Sequence, residues 1–597
     1  MTQRLVIFSE MLLAAIIMLI SCGRSHEGWV RINQLGYRPD DVKVAVFMGK
    51  GTNDLRSFRV VDAVTGKVIL EKKDISKTHP MEPLTNCNRL NFTEVTGESI
   101  YRIEAGKIVS PDFRIADDVY AGTADFLLTY MRQQRCGFNP WLNDSCHVHD
   151  GYVIYGGKDD FMHIDVTGGW HDAADYLQYV ATSANATYQM LYSFSANPSS
   201  FGDEHLANGL AGKDNIPDVL NESRWGLDWL IKMNPAPDVM YNQIADDRDH
   251  IGFRFPNSDT ADYGLGKERP VYRCTGKEQG LFKYKNLATG IASTAGKFAS
   301  AFARGSSVYR TIDPGFSQLL ESKAIAAFDY GLRNPGACQT APGTAPYFYE
   351  EDNWVDDMEL AAIELFRLSG DAKYLDHAVG FGRQEKITPW IGADTARHYQ
   401  WYPFMNMGHP VVAVESDIAE HREEFLWYMK EGLGLLKEKG RKNPFLIGVP
   451  FIWCSNNLVA ATLTQAHLYR SISGDSSFSE LEAAHRDWLF GCNPWGTSMI
   501  VGLPAAGDYP VNTHSSYVVR GEQVPGGLVD GPVYSTIFHN LKFIYLSEED
   551  EYASFQTDLA VYHDDYADYS TNECTMDGTA CLVYYLSALQ NANPAEK

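Results

Sequence analysis

From about Trp29 to Ile115 the chain runs with a hydrophobic period near two and is rich in β-branched residues. Examples are Val30-Arg31-Ile32-Asn33, Val42-Lys43-Val44-Ala45-Val46-Phe47 and Phe58-Arg59-Val60-Val61-Asp62. Turn signals at Thr65-Gly66 and Thr96-Gly97 separate the runs, which predicts several short strands and a small β-sandwich. Beyond Asp117 the period lengthens to that of a helix. Asn215-Ile216-Pro217-Asp218 spells a helix start with Pro early, ahead of apolar Val219, Leu220, Leu227 and Leu230. Leu365-Phe366-Arg367-Leu368-Ser369-Gly370-Asp371 and Leu468-Tyr469-Arg470-Ser471-Ile472-Ser473-Gly474-Asp475 each set a Gly where a left-handed residue closes a helix. Long helices joined by aromatic, Gly/Pro-rich loops predict stacked helical hairpins, a pattern that a solenoid also satisfies.

The N-terminus changes the picture. Arg4 precedes an apolar run, Met11 to Ile20, too short to span a membrane as a mature helix. Ser21-Cys22 follows in an arrangement that resembles a bacterial lipobox, where the Cys is acylated after cleavage. An ordinary signal peptide with an incidental Cys is the alternative. The expectation is a leader over 1–22, a sandwich over 23–116 and a helical domain over 117–597. Acylated Cys22 would tether the chain in a bacterial cell envelope, at the outer membrane surface or in the periplasm. A formal charge of -25 over 597 residues argues against nucleic acid and against anionic membrane surfaces, and suits a neutral polymer. The lipid is then the expected membrane contact, and the protein is expected to be a monomer. Cys87, Cys274, Cys338, Cys454, Cys492, Cys574 and Cys581 read as buried thiols or occasional bridges.

The chemistry concentrates in two stretches. Gly168-Gly169-Trp170-His171-Asp172-Ala173-Ala174-Asp175-Tyr176 sets two carboxylates three residues apart after a Gly-Gly pivot. If a helix begins at Asp172, both acids share a face, and two anions held close raise at least one pKa toward that of a proton acceptor. Helix capping is the plainer role for one such Asp. Far downstream, Asp568-Tyr569-Ser570-Thr571-Asn572-Glu573 offers a third carboxyl, although Ser570-x-x-Glu573 also spells a capping box. A water-activating Asp pair facing a protonated Glu is equipment for cleaving a glycosidic bond with inversion.

These stretches resemble the Gly-Gly-Trp-Tyr/His-Asp-Ala-Gly-Asp-Tyr and Asp-Tyr-x-x-Asn-Glu signatures of glycoside hydrolase family 9, in matching order and separation. The resemblance extends over nearly the whole exported chain. It implies an all-α (α/α) six-hairpin toroid whose loops build an open cleft. The opening Val30-Arg31-Ile32-Asn33-Gln34-Leu35-Gly36-Tyr37 resembles the immunoglobulin-like module that precedes many such domains, expected here as a structural brace. By resemblance Asp175 is the base that deprotonates the attacking water, and Asp172 holds that water and tunes its partner. Glu573 is the general acid, its pKa expected to rise through burial beside Tyr566 or Tyr569 and through Asp564, Asp565 and Asp568. Ala174 stands where the family usually has Gly. His514, in Val511-Asn512-Thr513-His514-Ser515-Ser516, matches one residue of the family's sugar-gripping Pro-His-His-Arg-x-Ser; the first His and the Arg are absent.

Cys136, Cys146, His147 and His171 supply two thiols and two imidazoles, a set suited to tetrahedral zinc, with His149 and His163 as competing ligands. A Cys136–Cys146 disulfide is the alternative. The resemblance implies zinc near this pattern, structural because four ligands fill it, and fixing Asp172 through His171. Glu350-Glu351-Asp352-Asn353-Trp354-Val355-Asp356-Asp357 gathers hard oxygens. Asp352, Asp356 and Asp357 are expected to hold the calcium the resemblance implies, or else to form an acidic helix start. No organic cofactor is expected. Trp141, Trp354, Trp401, Tyr402, Trp453 and Trp495 lie in loop-like contexts. Two or three are expected to line the cleft, with Trp141, Trp401, Trp453 and Tyr566 taken as sugar contacts.

The expected activity is inverting, endo-acting hydrolysis of β-1,4-glucosidic bonds in a cellulose-like, mixed-linkage or xyloglucan-type β-glucan. An exo-acting β-glucosidase or β-glucosaminidase of the same family would need a loop blocking one end of the cleft. A noncatalytic glycan-binding lipoprotein would have lost a carboxylate, whereas Asp172, Asp175 and Glu573 are all present.

Overall fold

A computed structural model describes residues 27–50, 55–73 and 75–591; the expected leader and Cys22 lie outside them. The period-two region folds as nine strands: β1 (Gly28–Arg31), β2 (Val44–Gly49), β3 (Phe58–Asp62), β4 (Val68–Lys72), β5 (Ser76–Lys77), β6 (Asn86–Asn91), β7 (Ser99–Ala105), β8 (Ile108–Val109) and β9 (Phe113–Ile115). They form two sheets, ordered β1-β2-β6-β5 and β4-β3-β7-β8, with β9 against β7. Alternation along β7 buries Tyr101, Ile103 and Ala105, which pack with Phe47, Val60, Phe92 and Phe113 into a core of their own. This is the expected sandwich.

Helices of eight residues or more follow as α1 (Thr123–Gln133), α2 (Val180–Ala196), α3 (Asp218–Met233), α4 (Ala292–Tyr309), α5 (Pro314–Arg333), α6 (Val355–Ser369), α7 (Ala372–Glu385), α8 (Gly408–Glu415), α9 (Ala419–Gly440), α10 (Ser455–Ser473), α11 (Ser479–Leu489) and α12 (Met576–Asn591). Each even-numbered helix packs on the next even one, and α12 closes on α2; the odd-numbered helices pack outside as hairpin partners. The ring closes, so the fold is an (α/α) toroid and not a solenoid. Burial explains the two layers. Inner α4 is buried continuously from Ala292 to Ser306. Outer α5 buries one stripe through Phe316, Leu320, Ala324, Ala327, Phe328 and Gly331, the pattern of a helix with one wet face. Local signals set the ends: Asp313 accepts from Phe316 N at 3.0 Å to cap α5, and Gly370 and Gly474, at φ 70° and 74°, close α6 and α10.

Connections from an outer to an inner helix are long, while Gly370-Asp371 alone joins α6 to α7. The long connections gather at the N-terminal ends of the inner helices. They carry β10 (Gly137–Asn139), β11 (Asp144–Cys146), β12 (Tyr152–Ile154), β13 (Gln178–Tyr179), β14 (Tyr241–Ile244), β15 (Pro270–Arg273), β16 (Leu528–Val529), β17 (Val533–Tyr534), β18 (Ala560–Val561) and β19 (Cys574–Thr575). The sandwich is fastened to the last hairpins. Buried Arg486 of α11 lies 3.1 Å from Asp41 and 2.9 Å from Asp487. Asn33 Nδ2 donates to Asp487 at 2.9 Å, and Arg38 donates to the Leu589 carbonyl of α12 at 3.0 Å. No described helix is long and apolar enough to cross a membrane.

Candidate active site

The segment before α2 is not helical at the two aspartates; the helix begins only at Val180. Asp172 and Asp175 sit instead on a tight turn in which Asp172 N donates to Leu177 O at 2.9 Å and Leu177 N donates to Asp175 Oδ1 at 3.1 Å. The Gly-Gly pivot is steric: Gly169 has φ 71°, and a Cβ there would lie 2.6 Å from the Trp229 ring. Glu573 is no capping residue either. It precedes β19, whose partner register pairs Val529 with Cys574, and its Oε1 accepts from Ala174 N at 3.1 Å. Ala174, one of the two residues between the aspartates, therefore touches the third acid. Met576 N, opening α12, donates to Asp172 O at 2.9 Å and clamps the two loops together. Ala174 takes no positive φ, so its side chain is accommodated.

The three carboxyls differ in setting. Asp172 is 4% exposed, accepts from Thr182 Oγ1 at 2.7 Å and from the Tyr349 hydroxyl. Burial, then the charges of Asp577 and Asp175, push its carboxyl well above the usual range. Asp175 is partly exposed, and its Oδ2 lies 3.3 Å from His250 Nε2. Burial alone would lower His250, but the hydrogen bond and charge of Asp175, with Asp249 and Glu573 behind them, push it up to about 9. Glu573 is raised well above the ordinary Glu range by burial first and then by Asp530 and Asp175. This corrects the expected source: Asp564, Asp565 and Asp568 bond elsewhere, Asp568 to His563 at 2.7 Å. Asp530 is fully buried, its Oδ1 accepting from Cys454 Sγ at 3.2 Å. Asp530 and His250 lack any motif in the sequence; only the fold brings them in.

The thiol–imidazole cluster converges. The register Gly137↔Cys146 sets Cys136 beside Cys146, and Cys136 N donates to Gly169 O at 2.9 Å while His171 N donates to Gln134 O at 2.8 Å. Cys136, Cys146, His147 and His171 thus place one donor atom each within 4.8 Å of one another. Both cysteines are free thiols, so the disulfide alternative falls. His171 Nε2 lies 3.3 Å from His147 Nδ1 and 3.8 Å from Cys146 Sγ. A tetrahedral zinc with ordinary bond lengths needs edges of about 3.3 Å between nitrogens and about 3.6 Å between nitrogen and sulfur. His147 Nε2 is spoken for by Asp259 at 3.0 Å, which leaves Nδ1 toward the cluster. The residues fit zinc. His163 pairs with Glu268 at 3.0 Å and is no ligand.

The acidic stretch does not form the expected calcium site. Lys297 of α4 donates to Asp357 Oδ2 at 2.6 Å and to Glu351, so an ammonium already sits among these acids. Asp352 points outward to Arg397, 2.5 Å away. Asp356 is buried with neither oxygen hydrogen-bonded. Among the described residues, only the Cys/His group gathers three or more metal-ligating donors.

An aromatic belt surrounds the acids. From His250 it runs through Tyr347 at 4.8 Å, His398 at 5.3 Å, Trp453 at 6.1 Å, Tyr569 at 5.7 Å and His514 at 6.0 Å, centroid to centroid. Phe253 then touches His514 at 4.9 Å and Tyr566 at 6.0 Å. Trp453, Tyr566 and His514 therefore face the site, with His514 Nδ1 donating to Tyr566 O at 2.6 Å. Trp401 packs against the toroid core, and Trp141 stands 40% exposed on the thiol-bearing hairpin; neither ring joins the belt. Tyr402 and Trp495 are core residues, and Trp354 packs edge-on to Phe381.

An (α/α) toroid that brings three carboxyls together inside an aromatic belt carries the equipment of a glycoside hydrolase. The chain belongs to glycosyl hydrolase family 9, whose model matches residues 120–586. A cellulase N-terminal Ig-like domain model matches residues 25–110. A cellodextrinase of Butyrivibrio fibrisolvens is 24% identical over 94% of this chain and 99% of that protein. A metagenome-derived family 9 endoglucanase superposes with TM-score 0.74 at 24% identity, covering 94% of this chain and 99% of that one. A zinc-binding triple mutant of a family 9 endoglucanase superposes with TM-score 0.73 at 24% identity, over 93% of this chain and 100% of that one.

Proposed function

We propose that the protein cleaves internal β-1,4-glucosidic bonds of a β-glucan with inversion. Asp175 takes the proton of the attacking water while Glu573 gives its own to the glycosidic oxygen. Asp172, held by two hydroxyls, fixes the turn from which Asp175 reaches that water. His250, pushed up to about 9, sets a positive charge beside Asp175. Burial first, then the Asp530 and Asp175 carboxyls, push Glu573 well above the ordinary Glu range, which favours the protonated form that an acid needs. The observation that carries the reading is the bond from Ala174 N to Glu573, which joins the two acid-bearing loops. The names of the relatives, cellodextrinase and endoglucanase, support the substrate class.

Zinc held by Cys136, Cys146, His147 and His171 would act as a brace. With four protein ligands it supplies no open position for chemistry, and through His171 it would set the turn bearing Asp172. His514 without an adjacent His or Arg makes a decorated or mixed-linkage glucan as suitable as cellulose. The chain is proposed to work from the bacterial cell envelope, tethered through Cys22. Glu573→Gln tests the chemistry: hydrolysis of a soluble β-glucan should fall by at least about 10³-fold, and undiminished rate would remove the assignment. Sizing early products separates the modes, since oligomers mean endo and glucose alone means exo.

A further inference from the structure

Beyond the belt, the segment 541–548 presents aromatic surface that no part of the reaction so far uses. Phe543 is 84% exposed and Tyr545 is 80% exposed. Phe543 also holds φ 68°, a left-handed conformation that a bulky side chain adopts only at a cost of about 1 kcal/mol. An exposed apolar ring on a strained backbone gains nothing for folding. The segment is nonetheless pinned at both ends to the loop that carries the acid. Tyr569 donates its hydroxyl to Lys542 O at 2.9 Å. Ser547 N and Oγ bond Asp565 Oδ2 at 2.7 and 2.8 Å, and Glu548 N bonds the same oxygen at 3.1 Å. Tyr569 is itself the belt ring between Trp453 and His514. The single helical turn just before, Ser535–Phe538, contributes Ile537 to a pocket of about 160 Å³ shared with Trp453 and His398.

We propose that Phe543 and Tyr545 form an outer sugar-binding subsite that continues the aromatic belt and engages only glucan chains long enough to leave the cleft. The inference rests on the proposed glucan-cleaving function and names an added contact for the same substrate. A neutral, hydroxyl-rich chain with flat apolar ring faces suits exposed aromatic rings in a protein of charge -25. The pins on Tyr569 and Asp565 tie the segment that bears the two rings to the loop that carries Glu573.

The test compares substrates by length. The double substitution Phe543→Ala with Tyr545→Ala should raise KM for a long soluble β-glucan about tenfold, while kcat and KM for a short chromogenic cellobioside stay within about twofold. Equal effects on both substrates would mark the segment as structural, and no effect on either would leave the rings without a glucan role; each result overturns the proposal. A change of oligomeric state in sedimentation would overturn it too, assigning the rings to a contact between copies. Retardation in a glucan-containing gel, measured in a Glu573→Gln background with and without the double substitution, reads binding without turnover. Loss of retardation supports the subsite even if the assignment of Glu573 fails.

Discussion

Two regions of the toroid were expected to hold cations, and they differ in what already neutralises them. The Cys136–His171 cluster gathers four soft or borderline donors within 4.8 Å, with Asp259 behind His147; Arg269 donates to Cys136 Sγ at 3.7 Å but is itself paired with Asp150 at 2.7 Å. The 350–357 stretch gathers more formal charge, yet Lys297 enters from the neighbouring inner helix and bonds two of its acids. Convergent lone pairs with an ordered partner behind them make a metal site, while a run of acids recruits whatever cation the fold supplies. Counting charges along a sequence cannot tell these apart.

The largest effect that tests the contrast is Lys297→Met. Removing a fully buried ammonium leaves Glu351 and Asp357 uncompensated and should cost about 3–5 kcal/mol in denaturant unfolding. Burial raises both carboxyls, and without Lys297 they would be raised further in the folded state. Protonation then relieves the variant, so its deficit should shrink as pH falls. Rescue by added calcium would mean that the acids are a calcium site after all. Next, His171→Ala should abolish stoichiometric zinc in elemental analysis and lower activity about 100-fold through the Asp172 turn; full activity without zinc would break the link between brace and site. A smaller change, about tenfold in zinc affinity by competition with a chelator, is expected for Asp259→Asn. Smallest of all, Asp352→Asn should shift stability by no more than about 0.5 kcal/mol, because its pair with Arg397 is open to water. A larger loss there would return Asp352 to a coordinating role.

Much of the architecture was legible because it follows from local pattern. The period-two run gave the sandwich strands, and Gly370 and Gly474 closed helices where they stood in the chain. Ring closure was not, since each hairpin carries the same local pattern in a ring as in a solenoid; only the packing of α12 on α2 decides. The acid motifs point to the site, but local spacing does not give their geometry. Spacing of three at Asp172 and Asp175 suits a helix face, and Ser570-x-x-Glu573 suits a capping box, yet both lie on turns held by long-range bonds between the two segments. His250, Tyr347, His398 and Asp530 carry no periodic or motif signal. They reach the site from separate connections, and a lone His or Tyr in a loop looks like any other. Lys297, inside a helix of small residues, gave no hint of its acidic partners over fifty positions away.

The order of the inner helices carries one more consequence. Asp172 and Asp175 precede the first inner helix, and Glu573 precedes the last, so the two halves of the reaction centre leave the ribosome about four hundred residues apart. Until Met576–Asn591 has docked and Met576 N has reached Asp172 O, the proposed acid is not held against the turn that bears the proposed base. On the proposed assignment, activity therefore requires a chain that reaches the closing helix.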